Sequence, residues 1–235
     1  MKIVKTLDNI VDNIYRIIFI LIMLIGLYYV YGTIYVFYNA AGGRELFGFR
    51  LNSASVTKPL TKDHIAWLKV DDTSIDYPIM QGETNTKYLN KDPYGDFSLA
   101  GSIFLDSRNA KDFSDSYNLL YGHHMANGFM FGALDAYEEK DYWEDHKTGT
   151  ITLKDGTVYD IEIFACVLTD ANVSQIFNPE GSDSLFAVLN PNQFYAQPKN
   201  KHIVALSTCL EPGSTRRTVV FATMELGKAK DEKGN

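Results

Sequence analysis

At 235 residues, 46% of them hydrophobic and 22% charged, the chain carries enough apolar surface for one domain of ordinary size beside a membrane segment. Its formal charge of -7 argues against nucleic acid or an anionic lipid surface as the main partner, since either asks for a basic patch. Two cysteines could form a disulfide, yet Cys166 sits in an apolar run where a small buried thiol packs well, and both it and Cys209 are read as free thiols.

Residues 17–38 contain no charged side chain, and at about 1.5 Å per helical residue they cover the roughly 30 Å core of a bilayer. A single transmembrane anchor is predicted there. Lys2, Lys5 and Arg16 make residues 1–16 a short cytoplasmic N-terminus and put the rest outside the cell membrane, while Asp8 and Asp12 weigh little in that rule. Five tyrosines between Tyr28 and Tyr38 suit the outer headgroup level. A cleaved signal peptide is the rival reading, but it has a shorter apolar region and a better small-residue site than Asn39-Ala40-Ala41.

Residues 39–60 read as a membrane-proximal linker with a helix around Arg44 to Leu51. Strands follow: Ile65–Val70 and Ile75–Met80 about an Asp71–Ser74 turn, with Pro78 arguing for an edge or bulge. Gly101–Asp106 and Tyr117–Tyr121 come next, then Gly149–Lys154 and Thr157–Leu168 about Asp155-Gly156, a strong hairpin signal. His202–Cys209 and Arg216–Thr223 complete the set. Helices are predicted over Thr84–Asn90, Phe131–Trp143 and Ser182–Leu189, the last within a long link of the kind that is usually functional. Asp92-Pro93-Tyr94 reads as a turn, and residues 227–235 as a disordered polar tail. Short strands joined mostly by turns predict an antiparallel barrel or sandwich.

A cysteine at the end of an apolar strand, with arginines at the facing end of the next and histidines closing an earlier one, offers a nucleophile, an anion stabiliser and an acid or base. Those three groups suffice for acyl transfer. A metal site on His123 and His124 is not expected, because adjacent strand positions diverge and no metal-ligand spacing accompanies them. No metal or organic cofactor is called for.

Gly101-Ser-Ile-Phe-Leu-Asp106, Tyr121-Gly-His123-His124-Met125, Leu206-Ser-Thr-Cys209 and Arg217-Thr-Val-Val-Phe-Ala222 together resemble the sortases of Gram-positive bacteria, from Ile65 to Met224. Ser207 ahead of Thr-Cys, with the helix-bearing late loop, resembles class B. The resemblance implies a mainly β fold, a closed eight-stranded barrel over residues 61–226 with a few peripheral helices behind one transmembrane helix. It further implies that Cys209 attacks the bond after Thr in a C-terminal sorting signal of the Asn-Pro-x-Thr or Leu-Pro-x-Thr kind on a surface protein. The thioester is then passed to an amine of a peptidoglycan cross-bridge or a pilin lysine. His123 is the implied acid or base and Arg217 the oxyanion partner. Ser207, Thr208, Ser174, Ile176, Phe177 and Leu185 are the implied peptide-binding residues. Two other readings are a membrane-tethered cysteine peptidase, in which water resolves the thioester, and a non-catalytic surface barrel that binds peptide.

Overall fold

The computed structural model describes residues 2–42, 59–125, 128–189, 195–209 and 215–227, without the side chains of residues 2–9, 36–42 and 209. The chain forms two compact units, Met1–Asn39 and Ala40–Asn235. The first is helix α1, Lys2–Gly42, in which Ile10–Tyr35 is long and apolar enough to cross a membrane. Its large apolar side chains, Phe19, Ile22 and Leu24 among them, are exposed all around the helix. No proline interrupts residues 2–42, so the helix runs past both ends of the apolar stretch. The helix expected at Arg44–Leu51 and the tail from 228 onward lie outside the described residues.

In the second unit, eight strands close into a barrel in the order β1-β2-β3-β4-β7-β8-β6-β5. They are β1 (His64–Val70), β2 (Asp76–Met80), β3 (Ile103–Leu105), β4 (Tyr117–Gly122), β5 (Thr148–Leu153), β6 (Val158–Asp170), β7 (Ile203–Cys209) and β8 (Arg216–Leu226). The two expected hairpins form. Val70 N–H donates to the Ile75 carbonyl across the first, and Gly156 N–H to the Leu153 carbonyl across the second. Pro78 pairs only with Trp67 of β1, because β2 meets β3 at Ile79 and Met80 alone; its missing N–H therefore falls on a locally unpaired edge.

The barrel is mixed, not antiparallel throughout. β2 runs parallel to β3 and β4 parallel to β7, each across a long connection that leaves room for the crossover a parallel pair requires. Three helical expectations also change. Residues 84–90 form turns, such as Lys87 N–H to the Thr84 carbonyl, and no helix. Residues 131–143 divide into a 3-10 helix, Phe131–Glu138, and α2, Lys140–Asp145, separated at the extended Glu139. Phe131, Leu134 and Tyr137 are its buried side chains, and their spacing of three matches three residues per turn. The late link carries two short helices, α3 (Ser174–Phe177) and α4 (Ser182–Phe186).

Strand alternation divides the core. Leu120, Val204, Leu206, Val220 and Ala222 fill the barrel with Ile79, Ile151 and Phe131. Tyr117, Leu119, Ile203, Ala205, Val219 and Phe221 face outward and are sealed by Ile176, Leu185 and Leu189 of the late link. β7 is thus buried on both sides, which is why Ile203-Val-Ala-Leu206 is continuously apolar. In β6 the register shifts between Ile163 and Ala165, so Ile163 joins the inner cluster and Phe164 and Ala165 both join the outer one.

Candidate active site

The parallel β4–β7 pair brings both C-terminal strand ends to one edge of the barrel, and antiparallel β8 begins at that same edge. Gly122 is level with Thr208, so His123 lies one step beyond, beside position 209; Cys209 is paired directly with Arg217. With strands about 4.8 Å apart, the three positions span about 10 Å. Parity separates Arg217 from Arg216: Arg217 falls in the odd set of Val219 and Phe221, which faces outward under the late link. Arg217 is also level with Thr169 of β6, where that link departs.

The Gly122 backbone passes so close to neighbouring side chains that an added Cβ would lie 2.4 Å from Ile103 Cδ1 and 2.7 Å from Phe131 Cδ2. Only glycine fits there. His123 Nε2 sits 2.7 Å from the Leu89 carbonyl oxygen. A carbonyl only accepts, so Nε2 carries the hydrogen and Nδ1 is left to exchange a proton with a reacting group. His124 turns elsewhere: its Nε2 meets Asp135 Oδ2 at 2.7 Å, and Asp135 Oδ1 accepts from Thr218 at 3.4 Å. The two adjacent histidines therefore serve different parts of the fold, as their opposite strand parity requires.

The residues implied to bind peptide are distributed unequally. Ser207 is buried beside Tyr121, and its Oγ has no hydrogen-bond partner among the described residues. Thr208 alternates to the inner side, paired with Thr218, and serves the barrel mouth. Ser174 is exposed at the start of α3, and Phe177 is partly exposed at its end. Ile176 and Leu185 are sealed in the outer cluster, where their burial holds the late link onto the barrel. The Tyr117 hydroxyl donates to the Ile176 carbonyl at 2.6 Å, tying α3 to β4.

Asp106, which closes the Gly101–Asp106 run, lies at the centre of a polar cluster. It is fully buried at the end of β3 and accepts from Arg108 Nε at 2.8 Å, Arg108 Nη2 at 2.7 Å, Asn85 Nδ2 at 2.9 Å and the Tyr121 hydroxyl at 3.1 Å. Burial works to raise this carboxyl, but the Arg108 and Asn85 hydrogen bonds outweigh it and hold the group below the usual carboxylate range. Arg108 and Asn85 escaped notice because neither lies in an apolar run or beside a motif; only Asp106 closing Gly-Ser-Ile-Phe-Leu-Asp hinted at the cluster. Among the described residues no group of three or more His, Cys, Asp or Glu side chains is arranged to hold a metal ion.

The sortase domain model matches residues 68–225, which takes in all three edge positions. The chain belongs to the sortase family. Sortases are cysteine transpeptidases, and the similarities here are to class B. Sortase B of Listeria monocytogenes is 37% identical over 159 residues, a match covering 64% of each chain and thus just under two thirds of the Listeria protein. The crystal structure of Spy0129, a Streptococcus pyogenes class B sortase involved in pilus biogenesis, superposes with a TM-score of 0.63 at 39% identity, covering 71% of this chain and 94% of that one. The Staphylococcus aureus sortase B–substrate complex gives 0.63 at 30% identity, covering 72% and 82%.

Proposed function

We propose that this sortase is a membrane-anchored cysteine transpeptidase that cleaves a C-terminal sorting signal after threonine and transfers the acyl group to an amine. The observation that carries the reading is the register at one barrel edge, with position 209 paired to Arg217 and His123 one step beyond the Gly122–Thr208 pair. The existence of a sortase B–substrate complex supports a peptide as the ligand class. The apolar span Ile10–Tyr35, preceded by Lys2, Lys5 and Arg16, supports anchorage with the N-terminus cytoplasmic and the barrel outside.

In this reading the Cys209 thiolate attacks the threonine carbonyl carbon. An ordinary thiol titrates near 8.5, so a cation nearby is needed to favour the thiolate. Arg217, which stays charged, hydrogen-bonds the oxyanion that forms. His123, protonated at Nδ1 by the proton that the thiol has lost, gives that proton to the departing amine, and the thioester remains on Cys209. When the acceptor amine attacks the thioester, Nδ1 takes a proton from it, and the tetrahedral intermediate collapses to the new amide and the Cys209 thiolate. Throughout, Nε2 stays on the Leu89 carbonyl and keeps the ring oriented. Ser207, whose hydroxyl has its bonding capacity unspent among the described residues, donates to the peptide backbone near the threonine. The acceptor is an amine of a peptidoglycan cross-bridge or a pilin lysine, the latter suggested by the relative involved in pilus biogenesis.

Intact mass of the full chain in detergent micelles, after incubation with Asn-Pro-x-Thr and Leu-Pro-x-Thr peptides, tests this. An adduct of the N-terminal peptide half that vanishes in Cys209→Ala, and that is discharged by an added amine into a new amide, is the expected result. An adduct discharged only by water establishes a peptidase instead. Unchanged peptide binding by Cys209→Ala, with no adduct in the wild type, establishes a binding barrel.

A further inference from the structure

One cluster joins two parts of the fold that the proposed reaction needs together. Arg108 grips the buried Asp106 carboxylate with Nε and Nη2, and its backbone N–H reaches the same group at 3.0 Å. From the other side, Arg108 Nη2 donates to the Phe177 carbonyl at 2.8 Å and Nη1 to Asn178 Oδ1 at 3.0 Å. One guanidinium thus spans from the end of β3 to the end of α3. The same carboxylate takes the Tyr121 hydroxyl, two residues before His123, and Asn85, whose own Oδ1 accepts from Ser107 N–H at 2.7 Å.

The two halves of this bridge differ in kind. Asp106 is fully buried, and stripping its donors leaves a carboxylate uncompensated, a strongly destabilising change. The bonds from Arg108 to Phe177 and Asn178 are exposed, and exposed polar contacts of this sort add little to global stability. Their effect is geometric. A rigid fork with fixed donor directions specifies where the end of a four-residue helix lies.

We propose that Arg108, held by Asp106, is a positioning residue that fixes the Phe177–Asn178 wall of the peptide groove and so sets affinity for the sorting signal. This rests on the reading of the late link as a groove wall. Arg108 touches no reacting atom, so its loss weakens peptide binding and spares the chemical step.

The test uses the full chain in detergent micelles with the preferred sorting peptide. Asn178→Ala removes one strut of the loop half and leaves the Asp106–Arg108 grip intact, which guards against a mere folding failure. Arg108→Ala removes both halves. Losing one or two charge-assisted hydrogen bonds raises KM about tenfold in Arg108→Ala and about threefold in Asn178→Ala, with kcat within about twofold. Arg108→Lys keeps the charge but not the fork, and recovers less than half of the loss. Amide hydrogen exchange at Phe177 and Asn178, read without peptide, quickens in Arg108→Ala, while the rate of Cys209 alkylation does not change. Falling kcat at constant KM, or unchanged exchange at Phe177 and Asn178, overturns the proposal. Failure of the transpeptidase reading looks different: Cys209→Ala then retains cleavage, or no acyl adduct forms, whatever the Arg108 variants do.

Discussion

Gly101→Ala offers a sharp test of how the β2–β3 connection supports His123, the proposed acid or base. Gly101 has φ of +60°, and a Cβ there would lie 2.4 Å from the Leu89 carbonyl oxygen and 2.7 Å from that of Tyr88. The Leu89 oxygen is the atom that His123 Nε2 binds. A left-handed backbone costs an L-residue about 1–2 kcal/mol. Forcing a methyl against backbone adds about 1–3 kcal/mol, because neither carbonyl has a rotamer to retreat into. Gly156→Ala is the control: it too has positive φ, +93°, but its Cβ would meet nothing within 4 Å. Both variants carry a positive-φ cost, larger at Gly156, which lies outside the left-handed region, and Gly101→Ala alone adds the steric term of about 2 kcal/mol. For a chain of this size that term is about 4–8 °C in melting temperature. Because the Leu89 carbonyl must move, kcat/KM with the sorting peptide also falls, by about tenfold in Gly101→Ala, as expected for a misaligned acid or base. Gly156→Ala keeps full activity. Thermal unfolding by circular dichroism and peptide cleavage provide the readouts; melting temperatures within 2 °C of each other and equal activity would refute the reasoning.

Four further outcomes are expected. Burial, then the charges of Glu138 and Asp135, push the Cys166 thiol up to about 12, so native wild-type protein takes up one iodoacetamide at pH 8 and Cys209→Ala takes up none; labelling of Cys166 in native Cys209→Ala rejects this. The same shift contributes stability that is present below the ordinary thiol value near 9 and lost as pH rises toward 12, and Cys166→Ser flattens that loss. Burial, then Lys154, push His64 down to about 4 against the opposing Ala66 backbone hydrogen bond, so the folded state refuses a proton that the unfolded state takes up below 6.5. Its contribution is full above pH 6.5 and lost as pH falls toward 4, and His64→Gln reduces the acid loss by about 2 kcal/mol in denaturant titrations at pH 7 and 4.5; identical losses reject the burial argument. His123→Ala lowers kcat/KM by about 10²–10⁴, whereas His124→Ala, which breaks only the Asp135 contact, costs less than tenfold. Equal losses would mean that both histidines act on one group.

Several features were legible because their causes are local. The charge-free run beginning at Ile17 announced a helix long and apolar enough to cross a membrane, and Asp155-Gly156 announced its hairpin, since both depend on residues adjacent in the chain. The preference for His123 over His124 drew on the Gly-His pattern of the resemblance and on strand parity; in the structure the two rings meet different partners, Leu89 and Asp135. Other features were hidden. The helical reading of Phe131–Trp143 mistook a spacing of three for 3.6, and in the turns at 84–90 Tyr88 alone packs with Phe104 and Tyr121, while Leu89 is exposed, so no helix face is buried. The clamp on Asp106 joins Asn85, Tyr121 and Asn178, residues with no sequence relation to one another.

From the sequence alone came the N-terminal apolar helix, most of the strands, and the thiol, imidazole and guanidinium at the ends of three of them. Their meeting is a matter of tertiary structure. Turn-linked strands run antiparallel, and that expectation sends the ends of β4 and β7 to opposite edges of a sheet, with His123 and Cys209 a strand length apart. The long connection after His123 lets β7 return parallel to β4, and the hydrogen-bond register then sets Gly122 beside Thr208 and Cys209 beside Arg217. Strand direction and register depend on which apolar faces bury each other across the whole barrel, a sum over distant contacts that no local pattern encodes.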